Sequence, residues 1–159
     1  MIKRIYVDLD EVLTSFHDFY ETSFGRHWAD IADPDERWKP LNDDPTWYGR
    51  IPVKDDAQWL ISYVRSLGVP VKVLSATGWD WVRVGVQKTE WAFKNFGFDP
   101  SDVLFVKEGK KKFVFAKKGS LLIDDMERNV IPWREAGGSG IVHYNAENTI
   151  GKIKEMLVA

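Results

Sequence analysis

The chain has 159 residues, of which 44% are hydrophobic and 29% are charged, and its net charge is −2. This length fits a single globular domain of residues 1–159, and the charge provides no basic surface for a long nucleic acid. Cysteine is absent, which excludes disulfides, thiolate metal sites and cysteine nucleophiles. No apolar segment is long enough to cross a membrane and no signal-peptide core precedes the first strand, so we expect a cytoplasmic protein.

Apolar segments of strand length alternate with helical patterns along the chain. The predicted strands are residues 2–7, 69–74, 103–106, 121–123 and 141–144. The predicted helices are residues 55–67, 79–96 with Gly97 as a cap, a segment after Asp125, and 147–157. Most strands lack the alternation of a half-exposed sheet. The pattern predicts an α/β fold with a doubly wound, mainly parallel, five-stranded Rossmann-like sheet.

Residues 15–54 form an insertion between the first strand and its crossover helix. After a helix-like stretch at 15–24, this segment becomes rich in Asp, Pro and Trp. It leaves the sheet beside Asp10, and long insertions in compact domains often act as lids or binding loops. We therefore expect a small helical cap over that edge of the sheet.

Two pairs of acidic residues follow two of the predicted strands. Asp8 and Asp10 follow the first strand, and Asp124 and Asp125 follow the fourth. The carboxyl ends of parallel strands lie at one edge of the sheet, where open α/β folds bind their ligands. Four like charges stay ionised together only beside a cation, and carboxylate oxygens suit Mg²⁺. The sequence therefore predicts a Mg²⁺ site that handles phosphate.

Two further segments provide groups that can bind phosphate. Ser75 and Ala76 end the second strand region, and Lys110–Lys112 precede the fourth strand. An acid at a strand end is by itself weak support for catalysis, because such acids are often turn formers or helix caps. The order acid pair, hydroxyl, lysine and second acid pair is more informative than any one of them.

These four segments resemble the four motifs of the haloacid dehalogenase (HAD) superfamily of phosphatases, over nearly the whole chain. Within it, the chain is most similar to the 5'(3')-deoxyribonucleotidases and their small phage and bacterial relatives. The similarity rests on Asp-Leu-Asp-Glu-Val-Leu at 8–13 followed by Phe16, on the aromatic-rich cap, and on Leu-Leu-Ile-Asp-Asp at 121–125. Glu11 is a departure, because the nucleotidases usually carry glycine there.

The resemblance implies a division of labour among the acids. Asp8 would attack phosphorus and form an aspartyl-phosphate, and Asp10 would protonate the leaving oxygen and then activate water. Mg²⁺ would be held by the Asp8 carboxylate, the Asp10 backbone carbonyl and Asp124. Asp125 would contribute a ligand through water or hold the ligands in place.

The resemblance also implies which groups bind the transferred phosphate. Ser75, Ala76 and one lysine would hold the phosphoryl oxygens, since phosphoryl transfer depends mainly on positioning and charge stabilisation. Spacing to the following Phe115 favours Lys112 as that lysine. Lys110 and Lys111 remain alternatives.

Aromatic residues of the cap suggest the substrate. Phe16 matches a base-stacking position of the deoxyribonucleotidases, and Trp47 is a second candidate for substrate binding. The other tryptophans assessed are expected to be core residues: Trp59, Trp81, Trp91 and Trp133. We therefore predict a Mg²⁺-dependent phosphomonoesterase that hydrolyses nucleoside monophosphates, with deoxyribonucleotides preferred.

Two alternatives to a nucleotidase stay open. A phosphatase of the same fold could act on phosphorylated nucleic-acid ends or on sugar phosphates. A groove lined with Lys and Arg would favour the nucleic acid, and a closed aromatic cap would favour a mononucleotide. The second alternative is a non-enzymatic, phospho-accepting receiver domain, although receivers place their adjacent acids after the first strand. A homodimer is compatible with each of these functions.

Overall fold

The computed structural model describes residues 1–159 and contains one five-stranded parallel sheet. The strands are β1 (Arg4–Val7), β2 (Val71–Ala76), β3 (Val103–Val106), β4 (Ser120–Asp124) and β5 (Ser139–Val142). Their order in the sheet is β3-β2-β1-β4-β5, and every neighbouring pair is parallel. The chain therefore winds outward from β1 in one direction and returns to wind in the other. This confirms the predicted doubly wound α/β fold.

Six α-helices accompany the strands; five lie between strands, and the sixth follows β5. They are α1 (Phe16–Phe24), α2 (Pro34–Asp43), α3 (Ala57–Ser66), α4 (Trp81–Phe96), α5 (Glu127–Glu135) and α6 (Ala146–Val158). Short 3₁₀ segments lie at Trp28–Asp30, Tyr48–Arg50, Pro100–Asp102 and Gly109–Phe115. Gly97 ends α4 in the left-handed conformation, as its position in the sequence predicted. None of the helices combines the length and the apolar composition that crossing a membrane requires.

The two faces of the sheet bury different sets of side chains. Ile5 and Val7 of β1 belong to a large apolar core shared with α3, α4, α6 and the cap. Tyr6 points to the opposite face, in a smaller core that includes Val130 and Trp133 of α5. This alternation follows from the two-residue period of a strand, and it explains why the strands are apolar on both faces.

The register of the sheet brings the acid pairs to one edge. Val7 pairs with Val73 of β2 on one side and with Ile123 of β4 on the other. Asp8 and Asp124 each follow these paired residues directly, so they leave the sheet at the same level. Strand β2 is shifted by two residues from the predicted range of 69–74. It begins only after Pro70, and it ends later because Ser75 and Ala76 still pair with β3.

The insertion at 15–54 folds into α1, α2 and two 3₁₀ segments whose aromatic rings pack on one another. The participating rings are Phe16, Phe19, Tyr20, Phe24, Trp28, Trp47 and Tyr48. Gln87 of α4 fastens this cap to the sheet domain: its amide accepts a hydrogen bond from Tyr48 N (3.1 Å) and donates one to Leu41 O (2.8 Å). A buried side-chain amide with both groups satisfied fixes the position of the cap firmly.

Glu11 occupies a backbone conformation that normally favours glycine, with φ of 63°. Its carboxylate compensates for this strain by accepting a hydrogen bond from His17 N in the first turn of α1 (2.6 Å) and by pairing with Lys54 (3.4 Å). Ser15 makes no capping bond of its own, so Glu11 caps the helix instead.

Two substitutions at Glu11 separate strain from capping. Glu11→Ala should destabilise the protein by about 2 kcal/mol, because it loses the hydrogen bond that caps α1 and keeps the backbone strain at residue 11. Glu11→Gly loses the same contacts but relieves the strain, so it should destabilise by about 1 kcal/mol less than Ala. Urea unfolding of both variants measures the difference, and a glycine variant no more stable than the alanine variant would contradict this account.

Candidate active site

Asp8 lies at the centre of the site, held rigidly where β1 ends. Its main-chain N–H donates to Ile123 O at 2.9 Å, which extends the sheet ladder by one residue. Its side-chain Oδ1 accepts a hydrogen bond from Leu9 N (2.8 Å) and pairs with Lys112 Nζ (3.0 Å). Both contacts involve Oδ1, which leaves Oδ2 available to an incoming group.

Asp124 is fully buried and is surrounded by donors. Its Oδ1 accepts from Met126 N at 2.8 Å, and its Oδ2 accepts from Lys112 Nζ at 2.6 Å. The Asn129 amide donates to both oxygens, at 3.1 and 3.2 Å. A Cβ at Gly109 would lie 2.6 Å from that amide, so Gly109 provides the space that Asn129 needs. The carboxylate is therefore fixed in one orientation.

Three carboxylates converge closely enough to bind one metal ion. Oxygen atoms of Asp8, Asp124 and Asp125 all lie within 4.8 Å of one another. The Asp10 carboxylate does not belong to this cluster, and metal binding through the Asp10 backbone carbonyl stays a prediction. A compact group of hard oxygen donors is the ligand set that Mg²⁺ prefers, so these residues fit that ion.

The electrostatics of the cluster favour a bound cation. The pKa of Asp8 is raised to about 7, mainly by burial; Lys112 opposes the rise, Asp124 and Asp10 add to it, and Lys88 opposes it more weakly. Burial, followed by the charges of Asp8 and Asp124, raises the pKa of Asp125 to about 8. Burial alone would lower the pKa of Lys112, but the charges of Asp8 and Asp124 outweigh it and raise that pKa. The positive charge of Lys112 is therefore too small to keep every carboxylate of the cluster ionised.

These pKa values predict that metal binding depends on pH. The raised pKa values of Asp8 and Asp125 make both carboxyls partly protonated near neutral pH in the absence of metal, and Mg²⁺ binding would displace these protons, so the affinity for Mg²⁺ should rise between about pH 6 and about pH 9. Without metal, the pKa values of both carboxyls are higher in the folded protein than in the unfolded chain. The free energy of unfolding should therefore fall as the pH rises from about 4 to about 8.

Thermal unfolding with Mg²⁺ and with chelator across this pH range tests both effects. Addition of Mg²⁺ should increase the unfolding temperature more at the alkaline end of the range. An increase that is equal at all pH values would contradict the proton displacement.

Asp10 is held apart from the metal cluster by three donors. Its Oδ1 accepts from the Tyr48 hydroxyl (2.6 Å) and from Thr14 Oγ1 (3.4 Å), and its Oδ2 pairs with Lys88 Nζ (2.8 Å). Burial, and then the charge of Asp10, raises the pKa of Tyr48 well above its usual value, so this hydroxyl stays protonated and donates. Asp10 nevertheless lines the cavity beside Asp8.

Lys88 is a site residue that the sequence analysis missed. It belongs to α4, is fully buried, and reaches three acceptors with one ammonium: Asp10 Oδ2 (2.8 Å), Ser75 Oγ (2.8 Å) and Ala76 O (2.7 Å). The faces of Trp38 and Tyr48 also lie within 5.3 and 5.4 Å of it. The amine therefore joins the first-strand acid to the end of β2.

The predicted phosphate-binding residues divide into two groups. Lys112 is the member of its lysine triplet that contacts the carboxylates, whereas Lys110 and Lys111 are exposed. Ala76 lines the cavity beside Asp8. Ser75 is only 1% exposed and its hydroxyl accepts from Lys88, so it lies beneath the cavity wall and not on it. Phosphate binding by these residues stays a prediction.

Two adjoining cavities lie between the cap and the carboxyl edge of the sheet. The carboxylate cavity, of about 100 Å³, contains Asp8, Asp10, Lys112 and Asp125 in its wall. The aromatic cavity, of about 340 Å³, is walled by three tryptophans, four basic residues and Glu108 among others. The cavities are neighbours that share the lining residues Trp28, Trp38, Ala76, Gly109, Arg128 and Asn129.

Of the two aromatic residues predicted to bind substrate, the structure places Phe16 in the wall of the carboxylate cavity and Trp47 outside both cavities. Trp47 is 2% exposed, donates through Nε1 to Ser23 Oγ (3.0 Å) and is enclosed by other rings of the cap, so it lines neither cavity. Phe16 does line the carboxylate cavity, but only 1% of it is exposed, and its ring packs at 4.9 Å against Trp28. Neither ring offers an open face for stacking on a base.

Trp38 and Trp79 line the aromatic cavity together with Trp28. Trp38 is half-buried and rests on Gly78, where a Cβ would lie 2.7 Å from the indole and where φ is 69°. Trp79 is 70% exposed. The sequence analysis missed Trp79 as a cavity residue, although its position directly after the β2 motif placed it at this edge of the sheet.

Comparisons with known proteins identify the fold through structure. A scan against models of protein families finds no match, and a search of curated proteins finds none either. A hydrolase from Streptococcus pneumoniae TIGR4 superposes with a TM-score of 0.62 at 11% identity, covering 96% of this chain and 98% of its own. A predicted HAD-like family hydrolase from Porphyromonas gingivalis gives 0.62 at 17% identity, over 99% and 98% of the two chains.

A third similar structure contains ligands. It is a HAD family enzyme from Bacteroides thetaiotaomicron in complex with magnesium and inorganic phosphate, with a TM-score of 0.53 at 17% identity, covering 91% of this chain and 96% of its own. Each similarity extends over nearly the whole of both chains, and the low identities limit it to the architecture. The chain therefore has the α/β fold of the haloacid dehalogenase-like hydrolases.

Proposed function

We propose that the protein is a Mg²⁺-dependent phosphomonoesterase of the HAD superfamily that hydrolyses nucleoside monophosphates through a phosphorylated Asp8. The observation that carries the proposal is the buried group of Asp8, Asp124 and Asp125 around Lys112. A group with this much negative charge calls for a divalent cation. A divalent cation bound there would in turn attract an anionic substrate. The similarity to an enzyme whose structure holds magnesium and phosphate agrees with this chemistry.

The contacts of each residue suit a distinct role in the reaction. Asp8 Oδ2 attacks the phosphorus while Lys112 holds Oδ1 and faces the phosphoryl oxygens. Asp10 takes up a proton from the monoprotonated phosphate of the substrate and passes it to the leaving oxygen, and it then takes one from the water that hydrolyses the aspartyl-phosphate. The residues that would hold Mg²⁺ are Asp8, Asp124, Asp125 and, through its carbonyl, Asp10; the ion would supply positive charge to the carboxylates and to the phosphoryl oxygens.

The aromatic cavity supports a nucleoside as the leaving group. It adjoins the carboxylate cavity, and its volume of about 340 Å³ holds a group of nucleoside size. Trp38 and Trp79 offer indole surfaces on which a base can stack, an interaction worth about 1–3 kcal/mol per base in single-stranded nucleic-acid sites. Deoxyribonucleotides are the preferred substrates by the resemblance of the sequence.

Initial rates of phosphate release from a substrate panel test this proposal. The panel contains ribo- and deoxyribonucleoside 5'- and 3'-monophosphates, sugar phosphates and a 3'-phosphorylated oligonucleotide, each with Mg²⁺ and with chelator. We expect Mg²⁺-dependent release, fastest from the deoxynucleotides. Equal or faster release from sugar phosphates would discard the nucleotide assignment, and no release from any compound would discard the phosphatase.

Substitution of Trp79 tests the stacking surface with a matched control. Trp79→Leu should raise KM for nucleotides about tenfold and leave the KM for a short alkyl phosphate unchanged. Trp59→Leu is the control, because Trp59 is also exposed (53%) but lies on α3 outside both cavities. If both substitutions change nucleotide KM equally, Trp79 does not contact the base.

A further inference from the structure

Basic residues are concentrated around the aromatic cavity. Four line it, against a single acid, Glu108: they are Arg37, Lys107, Lys110 and Arg128. The chain as a whole has a net charge of −2, so this concentration is local. A cavity that combines indole surfaces with an excess of positive charge is complementary to an aromatic anion.

The four basic groups differ in how far the protein itself engages them. Arg37 donates through Nε to Ile31 O and lies 5.7 Å from the Trp28 ring, and Lys110 pairs with Glu108 at 3.2 Å. Lys107 lies 4.6 Å from the Trp79 ring centre and forms no ion pair. Arg128 makes neither a side-chain hydrogen bond nor an ion pair within the protein.

Arg128 is also the basic residue of this group that lines both cavities. It is the second residue of α5, directly beyond the turn that follows Asp125. Arg128 therefore borders both the cavity of the carboxylates and the cavity of the indoles. An arginine with all five donors free is well suited to pair with a phosphate through two hydrogen bonds.

The transferred phosphoryl group does not account for this charge. The carboxylate cavity has its own buried ammonium in Lys112, and Lys88 neutralises Asp10 from within α4. A neutral nucleoside in the aromatic cavity would leave Lys107 and Arg128 without an anionic partner. A second negative group on the leaving nucleoside would supply one.

We propose that the preferred substrate is a nucleotide that carries a second phosphate, with its base against Trp38 and Trp79 and its second phosphate paired with Arg128 and Lys107. The inference rests on the proposed phosphomonoesterase function and specifies its substrate class. The same chemistry occurs in a nucleoside 3',5'-bisphosphate and at the phosphorylated terminus of an oligonucleotide, where the second phosphate is a diester.

The test compares kcat/KM for three substrates that share one base. They are the deoxynucleoside monophosphate, the deoxynucleoside 3',5'-bisphosphate and a 5'-phosphorylated dinucleotide. We expect the substrates with two phosphates to exceed the monophosphate by about tenfold or more at low salt, with an advantage that decreases as ionic strength rises. Preference for the bisphosphate or for the dinucleotide identifies which of the two sources the cavity accepts.

Variants connect this preference to the named residues. Arg128→Gln and Lys107→Gln should each lower kcat/KM for the doubly phosphorylated substrates more than for the monophosphate, so that the advantage of the second phosphate decreases. Lys118→Gln is the matched control, because Lys118 is exposed and lines neither cavity.

The failures of the two proposals are distinguishable. Equal kcat/KM for all three substrates, or variants that change all three equally, would overturn the second-phosphate site and leave the phosphatase standing. Absence of phosphate release from every substrate would overturn the proposed function itself.

Discussion

Asp8→Asn is expected to lower phosphate release by about three orders of magnitude or more, because it removes the attacking oxygen while keeping the shape of the side chain. The variant should stay folded. Its amide can still accept the hydrogen bond from Leu9 N, and Lys112 keeps its contact with Asp124 at 2.6 Å. Burial raises the pKa of Asp8 to about 7, so loss of this carboxylate should not lower metal-free stability at alkaline pH.

Steady-state phosphate release measures the loss of turnover, and circular dichroism measures whether the variant stays folded. Asp55→Asn serves as the matched control, since Asp55 is an exposed acid in the turn before α3 and lies outside the site. Retained turnover in Asp8→Asn, with the control unaffected, would show that the phosphoryl group is not transferred to Asp8.

The second large effect is expected at Lys88. Lys88→Met nearly preserves the volume of the side chain but leaves Asp10, Ser75 and Ala76 without their shared donor. We expect a loss of about 3 kcal/mol in stability, because breaking one side of a buried ion pair leaves the other charge uncompensated. We also expect kcat to fall about a hundredfold, because Asp10 loses the contact that orients its carboxylate.

Two measurements separate positioning of Asp10 from general damage to the fold. An alkyl phosphate needs a proton on its leaving oxygen, whereas p-nitrophenyl phosphate does not, so Lys88→Met should slow the alkyl phosphate much more. The double variant Lys88→Met with Asp10→Asn should recover part of the lost stability without recovering activity. Equal slowing of both esters would assign Lys88 a purely structural role.

The sheet and the carboxylate cluster could be predicted from sequence because each depends on local patterns. Apolar strands that end in acids, hydroxyls or lysines place those groups at one edge once the strands are parallel. Asp8, Asp124, Asp125 and Lys112 meet as expected for this reason.

Lys88 shows what such patterns overlook. It falls on the buried side of α4 with Val84 and Trp91, at the spacing of an apolar stripe, so a lysine in a core position was the available signal. Its partners are Asp10, which follows β1, and Ser75 of β2, at 78 and 13 residues distance in sequence, and no local pattern connects them.

The tryptophans illustrate a second limit of prediction from the sequence. Trp91 and Trp133 are buried as predicted, but Trp59 and Trp81 are 53% and 59% exposed, so the expectation that they belong to the core was wrong. In the cap, each aromatic ring has several other rings close enough to pack against, and the sequence does not specify which ring faces the cavity. Trp47 was therefore proposed for substrate binding although it belongs to the interior of the cap.

A crystal structure with Mg²⁺ and beryllium fluoride, which mimics a phosphoryl group on a carboxylate, tests the central claim most directly. The account predicts beryllium bonded to Asp8 Oδ2, the metal ion between Asp8 and Asp124, and Lys112 beside the fluorides. Beryllium fluoride on Asp10 or on no carboxylate, or a metal ion outside the Asp8, Asp124 and Asp125 cluster, would contradict it.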